Sequence, residues 1–204
     1  MILEDSWYPQ KRKAVYDGVI ALMEKGLNPY TIKVSDIASE ADIGKGTLYD
    51  YFSSKEEAIS RAILYYIKIG LEHTFTRVKD QSKFKNKFHE ILHVIAEQVD
   101  SNISIFRILL SVGATQEFYG YLSEYRGELL AHLSKIHEIY DHLAKCGVRE
   151  GAIRDGRDPY YRDMVITGAI LGFSQYFGER YFNPAVNMER AMAAAYTILL
   201  KALN

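Results

Sequence analysis

What the sequence lacks removes several classes of protein at once. Its 204 residues contain one cysteine, Cys146, so no intrachain disulfide and no cysteine-based zinc framework can form, and a reducing compartment is expected. Long apolar runs are missing too. The longest, Met164 to Phe173, is about half of the roughly 20 residues that a membrane span needs. The start, Met1-Ile2-Leu3-Glu4-Asp5, is acidic from its fourth residue and shows no charged-then-apolar targeting pattern, so a cytoplasmic chain is expected, with no membrane partner. There is no excess charge of one sign: 25 Lys and Arg against 26 Asp and Glu leave a net charge of −1. Bulk basicity therefore does not mark a nucleic-acid binder, although a local basic patch would suffice. No internal repeat and no sustained polar–apolar alternation of a half-buried strand occurs.

What is present is helical spacing almost throughout. With 48% hydrophobic and 25% charged residues, the chain can bury a core and is not a disordered or low-complexity polymer. Pro9 suits a first helical turn, and Val15, Val19 and Leu22 follow at i, i+4 and i+7. Gly26 and Asn28-Pro29 end that helix. Val34, Ile37, Ala38 and Ala41 mark a second, short helix, and Leu48, Tyr51 and Phe52 the buried side of a third. Ser53 or Ser54 is placed to cap a fourth, whose first turn holds Glu56 and Glu57. That fourth helix is expected over Ser54 to Lys79, and further helices over Phe84 to Val99, Ser104 to Val112, Glu117 to Lys145, Tyr160 to Phe182 and Met188 to Leu203, with a loop from Gly147 to Pro159. The expectation is an all-α chain of about nine helices: a three-helix head over residues 8–55, and a larger helical body over residues 56–204.

Residues Val34 to Phe52 have the mechanics of a helix-turn-helix, two short amphipathic helices joined by the tight link Ala41-Asp42-Ile43-Gly44. With Leu48 and Phe52 inward, a count of 100° per residue turns Gly46, Thr47 and Asp50 outward and sets Lys45 and Tyr49 on the flanks. Gly46 permits close approach to a major groove, Thr47 can reach a base edge, and Lys45 can reach guanine or phosphate.

The string Val34-Ser35-Asp36-Ile37-Ala38, then Ala41-Asp42-Ile43-Gly44-Lys45-Gly46-Thr47-Leu48-Tyr49-Asp50-Tyr51-Phe52 and Lys55-Glu56-Glu57, resembles the DNA-binding head of TetR-type bacterial transcription regulators. The resemblance covers roughly residues 9–57. It implies that Lys45, Thr47 and Tyr49 face bases or nearby phosphates, and that Tyr51 and Lys55 hold the DNA backbone. Three positions depart from the family pattern. Lys33 stands where a Ser or Thr cap is usual, so it can grip a phosphate but the side-chain cap is lost. Asp42 replaces the turn glycine and must take a left-handed conformation. Gly44 replaces a Ser cap.

Other motifs compete for attention. His89-Glu90-Ile91-Leu92-His93 matches the H-E-x-x-H pattern of zinc proteases. Helical counting nevertheless puts both histidines on a solvated flank away from Phe88 and Leu92, with no specified third ligand. No metal site, catalytic residue or cofactor is therefore expected. Lys79, Lys83, Lys85 and Lys87 read as a solvated face. The chain also carries 16 Tyr, 9 Phe and 1 Trp. The resembled family's body encloses a small-molecule cavity, which implies that Phe118, Tyr121, Tyr125, Phe173, Tyr176 and Phe177 line it for an apolar or aromatic effector. Gly168 and Gly172, with the stripe Met188, Met192, Ala195 and Leu199, read as a homodimer surface between the last two helices.

The expected function is a ligand-responsive regulator, a repressor released from a palindromic DNA operator by a small-molecule effector. Two other readings remain open at this point: an architectural DNA binder without an effector, and a zinc hydrolase using His89, Glu90 and His93. The head itself holds seven Lys and Arg against six acids between Tyr8 and Lys55, so a few placed lysines and a second subunit must supply the grip on DNA.

Overall fold

The computed structural model describes residues 10–29, 31–100, 123–183 and 185–204, which are helical with no strand among them. The helices are α1 (Gln10–Glu24), α2 (Val34–Glu40), α3 (Lys45–Tyr51), α4 (Lys55–Asp80) and α5 (Phe84–Asp100). After a 3-10 turn, Ser123–Tyr125, come α6 (Arg126–Arg149), α7 (Pro159–Ser174), α8 (Tyr176–Glu179) and α9 (Met188–Leu203). Pro9, the helix expected over Ser104 to Val112 and the start of the one expected from Glu117 lie outside the described residues.

Contacts divide the chain into two compact units. The first is Met1–Ile69 with Gln98–Leu130, and the second is Gly70–Glu97 with Ala131–Asn204. In the first unit, Val15 and Val19 of α1, Ile37 of α2, Leu48 of α3, Phe52, and Ile59 and Ile63 of α4 are buried in one cluster. In the second, Phe84, Phe88 and Leu92 of α5, Leu143 of α6, Ile166 and Phe173 of α7 and Leu199 of α9 are buried. No described helix is long and apolar enough to cross a membrane.

Tight turns end three helices in the same way. At the end of α2, Ile43 N–H bonds Ala38 O at 2.9 Å and Asp42 N–H bonds Ser39 O at 3.3 Å. Asp42 sits at φ +51°, the left-handed position that this closure requires and that Asp adopts at modest cost. The same pair of bonds closes α1 around Gly26 and α6 around Gly151.

Two expectations fail for reasons of packing. The loop expected from Gly147 begins later, because Gly147 lies inside α6: a side chain there would meet the Phe84 ring at 2.9 Å. Its glycine serves close approach rather than a turn. The helix expected over Tyr160 to Phe182 is interrupted at Gln175, whose N–H bonds Gly172 O at 3.3 Å, three residues back rather than four.

Lys87 is a third departure. It is 4% exposed rather than part of a solvated face. Its ammonium donates to Val78 O at 2.7 Å and Lys79 O at 3.3 Å, satisfying carbonyls at the C-terminal end of α4 that have no partner within the helix. Lys87→Met should keep the apolar stem but remove the ammonium from Lys79 O and from Val78 O, which then keeps only Gln81 N–H at 3.3 Å, lowering stability by about 1–3 kcal/mol. Urea denaturation followed by circular dichroism reads the loss; an unchanged midpoint would show the cap to be idle.

Candidate nucleic-acid interface

A seven-residue helix such as α3 is far too short to be stable in water, so its packing must hold it. Leu48 and Phe52 supply that hold at 0% and 3% exposure, together worth roughly 3–6 kcal/mol of burial. Phe52 is gripped from α1: the Tyr16 ring lies 5.8 Å from it and the Arg12 guanidinium 5.7 Å above it. Arg12 also donates to Tyr51 O at 3.2 Å, at the last residue of α3. Neither Arg12 nor Tyr16 stands out in the sequence, because contacts this distant along the chain, 39 residues for Arg12 and Tyr51, leave no local pattern.

With that side locked, the opposite side is open. Lys45, Gly46, Tyr49 and Asp50 are exposed and Thr47 is half-buried. The expected centre and flanks are therefore exchanged in part. Lys45 is the first helical residue, so no preceding turn covers it, and Thr47 lies at the edge of the exposed face. Nothing lies within 4 Å of where a Gly46 side chain would begin; the surface there is bare backbone.

The positions flanking α3 are set by caps. Lys33 precedes α2 and makes no side-chain cap, as expected, but its backbone N–H donates to Asp36 Oδ2 at 3.0 Å. Lys33 itself is exposed. Gly44 caps α3 with no side-chain bond. At α4, Ser54 rather than Ser53 is the cap: its hydroxyl accepts from Glu57 N–H at 3.0 Å. Glu57 reaches back to accept from Ser53 N–H and Ser53 Oγ, both at 2.7 Å. This reciprocal closure is a capping box shifted by one residue, and it orients Lys55 in the first turn. The Lys55 amine lies 3.5 Å from Glu56. Tyr51 is half-buried against the head's core. Farther along α4, Tyr66 donates to Asp17 of α1 at 2.6 Å, and Lys25, in the turn after α1, pairs with Glu40 of α2 at 2.6 Å.

Of the expected ligand-lining residues, Tyr125 belongs to the first unit and Phe173, Tyr176 and Phe177 belong to the second. Phe118 and Tyr121 lie outside the described residues. Tyr125 packs on the head's core in the first unit, its ring beneath the Arg61 guanidinium at 4.4 Å. In the second unit, Phe173, Tyr176 and Phe177 form a cluster. Phe173 stacks on Tyr176 at 6.1 Å and meets Phe177 edge-on at 5.5 Å, and Arg180 lies over both outer rings. Met192, Ala195 and Leu199 do not form an outward stripe: they are 4%, 2% and 0% exposed within the single chain, because α9 packs along α7. The exposed apolar side chains of these helices include Met164, Leu171 and Ile198, and Gly168 and Gly172 are also exposed.

His89 and His93 are half-buried rather than solvated. Tyr196 meets the His89 ring edge-on at 5.6 Å, and burial, then the charges of Lys85 and His93, pulls this imidazole below its ordinary pKa. Glu90 is engaged by Arg77, which also binds Glu97, so the would-be base of a zinc site is already bound by a guanidinium. Among the described residues no group of three or more His, Cys, Asp or Glu is arranged to hold a metal ion.

Two short helices joined by a tight turn, the second fixed on one face by its neighbours and open and polar on the other, have the form of a helix-turn-helix head. Residues 21–66 match the model of the family described as bacterial regulatory proteins, tetR family, which bears out the resemblance read from the motif. The fold of the chain is that of solved transcriptional regulators. It is similar to FadR from Bacillus subtilis in complex with stearoyl-CoA, at 20% identity and TM-score 0.64, covering 94% of this chain and 97% of that one. It is similar to the fatty acid degradation regulator FadR from Bacillus halodurans, at 16% identity and TM-score 0.67, covering 97% and 96%. PfmR, a TetR family regulator from Thermus thermophilus, aligns at 20% identity and TM-score 0.62, covering 92% and 97%. No curated protein matches the sequence significantly.

Two consequences of this geometry are measurable. Ser53's hydroxyl and then its N–H hold the Glu57 carboxyl below its ordinary pKa of 4.5. The stabilisation is therefore full above the unfolded value and fades as pH falls through the lower folded value. Glu57→Ala should cost about 1 kcal/mol at neutral pH, and the difference from the parent should shrink in acid; a constant difference across that range would contradict the assignment. Gly46→Ala meets no neighbour and should raise head stability by roughly 0.5–1 kcal/mol. Differential scanning calorimetry checks it, a fall in melting temperature being the contrary result.

Proposed function

We propose that this chain is a ligand-responsive, DNA-binding transcriptional regulator, a homodimer that represses from a palindromic operator until a small-molecule effector releases it. The observation that carries the reading is α3, whose buried Leu48 and Phe52 turn Lys45, Gly46 and Tyr49 outward within a segment matching a bacterial regulatory family. Lys45, Tyr49 and the edge residue Thr47 meet bases and nearby phosphates, with Gly46 allowing the backbone close to the groove. Lys33, Tyr51 and Lys55 hold the phosphates, Lys55 from the first turn of α4 where backbone N–H groups also favour anions.

A single head of such small net charge binds weakly, so two heads engage half-sites about one helical turn apart. The pairing surface proposed is the exposed side of α7 and α9, where Gly168 and Gly172 admit a second helix between Met164, Leu171 and Ile198. Residues 8–55 form the DNA-reading part, and residues 56–204 the effector and pairing part. The effector reading draws on the Bacillus subtilis regulator, which is in complex with stearoyl-CoA. The Phe173, Tyr176 and Phe177 cluster is suited to an apolar portion of a ligand of that type. α4 is one continuous helix of 26 residues, and the proposed coupling shifts it between DNA-competent and DNA-incompetent placements. That requires the effector to favour the second placement by about 1–3 kcal/mol. The protein is proposed to work in the cytoplasm and without catalysis.

Purified protein should select discrete fragments from its source genome, with footprints spanning two half-sites. Lys55→Ala should weaken binding to all sequences and flatten its salt dependence by about one counterion, whereas Thr47→Ala should alter base preference at one position of each half-site. Electrophoretic mobility shifts at several salt concentrations check both, and unaltered binding by the two variants would overturn the assignment of the head.

A further inference from the structure

The second unit contains a pocket of about 340 Å³ that the DNA-binding reading does not use. It lies where the last turns of α6, the loop after it, the first turn of α7 and the end of α9 converge. Its cationic lining is Lys145, Arg149, Arg154, Arg157 and Arg162, against the two carboxylates of Asp141 and Asp155. In a chain whose net charge is −1, a pocket with an excess of three positive charges is a local accumulation, and like charges held together raise the energy of the empty site.

The pairing within the pocket shows where that charge is available. Asp141 is consumed by Lys145 at 2.6 Å and Arg162 at 3.3 Å. Asp155 turns on its own loop, accepting from Gly156 N–H at 2.8 Å. Among the described residues Arg149, Arg154 and Arg157 have no side-chain partner. Three guanidiniums around one cavity are suited to phosphate oxygens, which their planar forks bind in pairs of hydrogen bonds.

The loop that carries two of them is built, not loose. Arg154 N–H bonds Leu203 O at 3.1 Å, and Asn204 Nδ2 donates to Ala152 O at 2.9 Å, pinning the loop to the end of α9. Tyr161 OH donates to Ala202 O at 3.0 Å, fixing the start of α7 to the same end. The floor is apolar: Ile153 and Leu203 are buried, and Ala144 and Val148 complete it. The cavity is at the lower end of the range for small-molecule pockets, and its apolar floor is of no use to a bare inorganic anion.

We propose that this pocket binds a small organic diphosphate, its phosphates held by Arg149, Arg154 and Arg157 and its organic part resting on Ile153, Val148 and Leu203. Each phosphate group brings one or more negative charges and several acceptor oxygens, so two linked phosphates match three unpaired guanidiniums where a lone carboxylate would leave two unanswered.

ADP serves as the probe, with inorganic pyrophosphate beside it, in isothermal titration calorimetry of the full-length chain at low salt. ADP should bind saturably, and pyrophosphate about fivefold more weakly for want of contact with the floor. The double variant Arg154→Gln and Arg157→Gln should weaken ADP about tenfold or more, with its circular dichroism unchanged because both side chains are exposed. Arg149→Gln gives an independent check from the helix side of the pocket. Lys55→Ala should bind ADP as the parent does, so failure here and failure of the DNA-binding head are read separately. The proposal is overturned by an absence of saturable ADP binding, by pyrophosphate binding as tightly as ADP, or by parent-like ADP affinity in the loop variants. It also falls if those variants lose duplex DNA rather than ADP, which would make the arginines a nucleic-acid contact.

Discussion

The burial of Leu48 and Phe52 is the constraint on which the interface depends. α2 and α3 are each seven residues long, too short to persist unless a core holds them. Once these two side chains enter the cluster with Val15, Val19, Ile37 and Ile59, the rotation of α3 about its axis is no longer free. The face bearing Lys45, Gly46, Tyr49 and Asp50 is then presented outward without any further interaction of its own. Arg12 adds to this by holding both the Phe52 ring and the last carbonyl of α3. The turn that sets the crossing of α2 and α3 depends in the same way on one residue, Asp42, held at positive φ. The polar outer face is thus a by-product of apolar packing, which leaves its residues free to serve recognition.

Placement rather than quantity of charge organises the rest of the chain. Helix ends take up buried or half-buried charges: Lys87 closes the C-terminal end of α4, and Glu57 with Ser54 closes its start. Arg77 binds Glu90 and Glu97 on the following helix, removing carboxylates that a metal site would need. Among the described residues, Arg149, Arg154 and Arg157 around the α6–α7 loop have no side-chain partner, and Lys45 stands exposed at the start of α3. A chain with net charge −1 can still hold local clusters of positive charge, because electrostatic attraction at contact range responds to nearby groups and not to the total.

Much of the head was legible in advance. Val34, Ile37 and Ala38 repeat at helical spacing, Asp42 was expected in a left-handed turn, and Leu48 with Phe52 defined the inner side of α3; all are short-range features of one contiguous segment. Other assignments failed where the deciding contact lies far along the chain. Lys87 reads as one of four surface lysines, yet it is buried because the end of α4 returns to it. Met192, Ala195 and Leu199 form an apolar stripe that looks available to a second subunit, but α7 of the same chain covers it. Gly147 reads as a breaker, although the Phe84 ring explains its lack of a side chain.

The sequence alone determined the helical character of the chain, the turn between α2 and α3, and which residues of α3 must face inward, because periodicity and turn chemistry act over a few residues. Tertiary structure alone decided which apolar stripes are consumed within the subunit, which charges close helix ends, and which arginines around a cavity have no side-chain partner among the described residues. Those outcomes depend on which distant surfaces meet. The energy of a side chain depends on its neighbours in space, and only folding selects them.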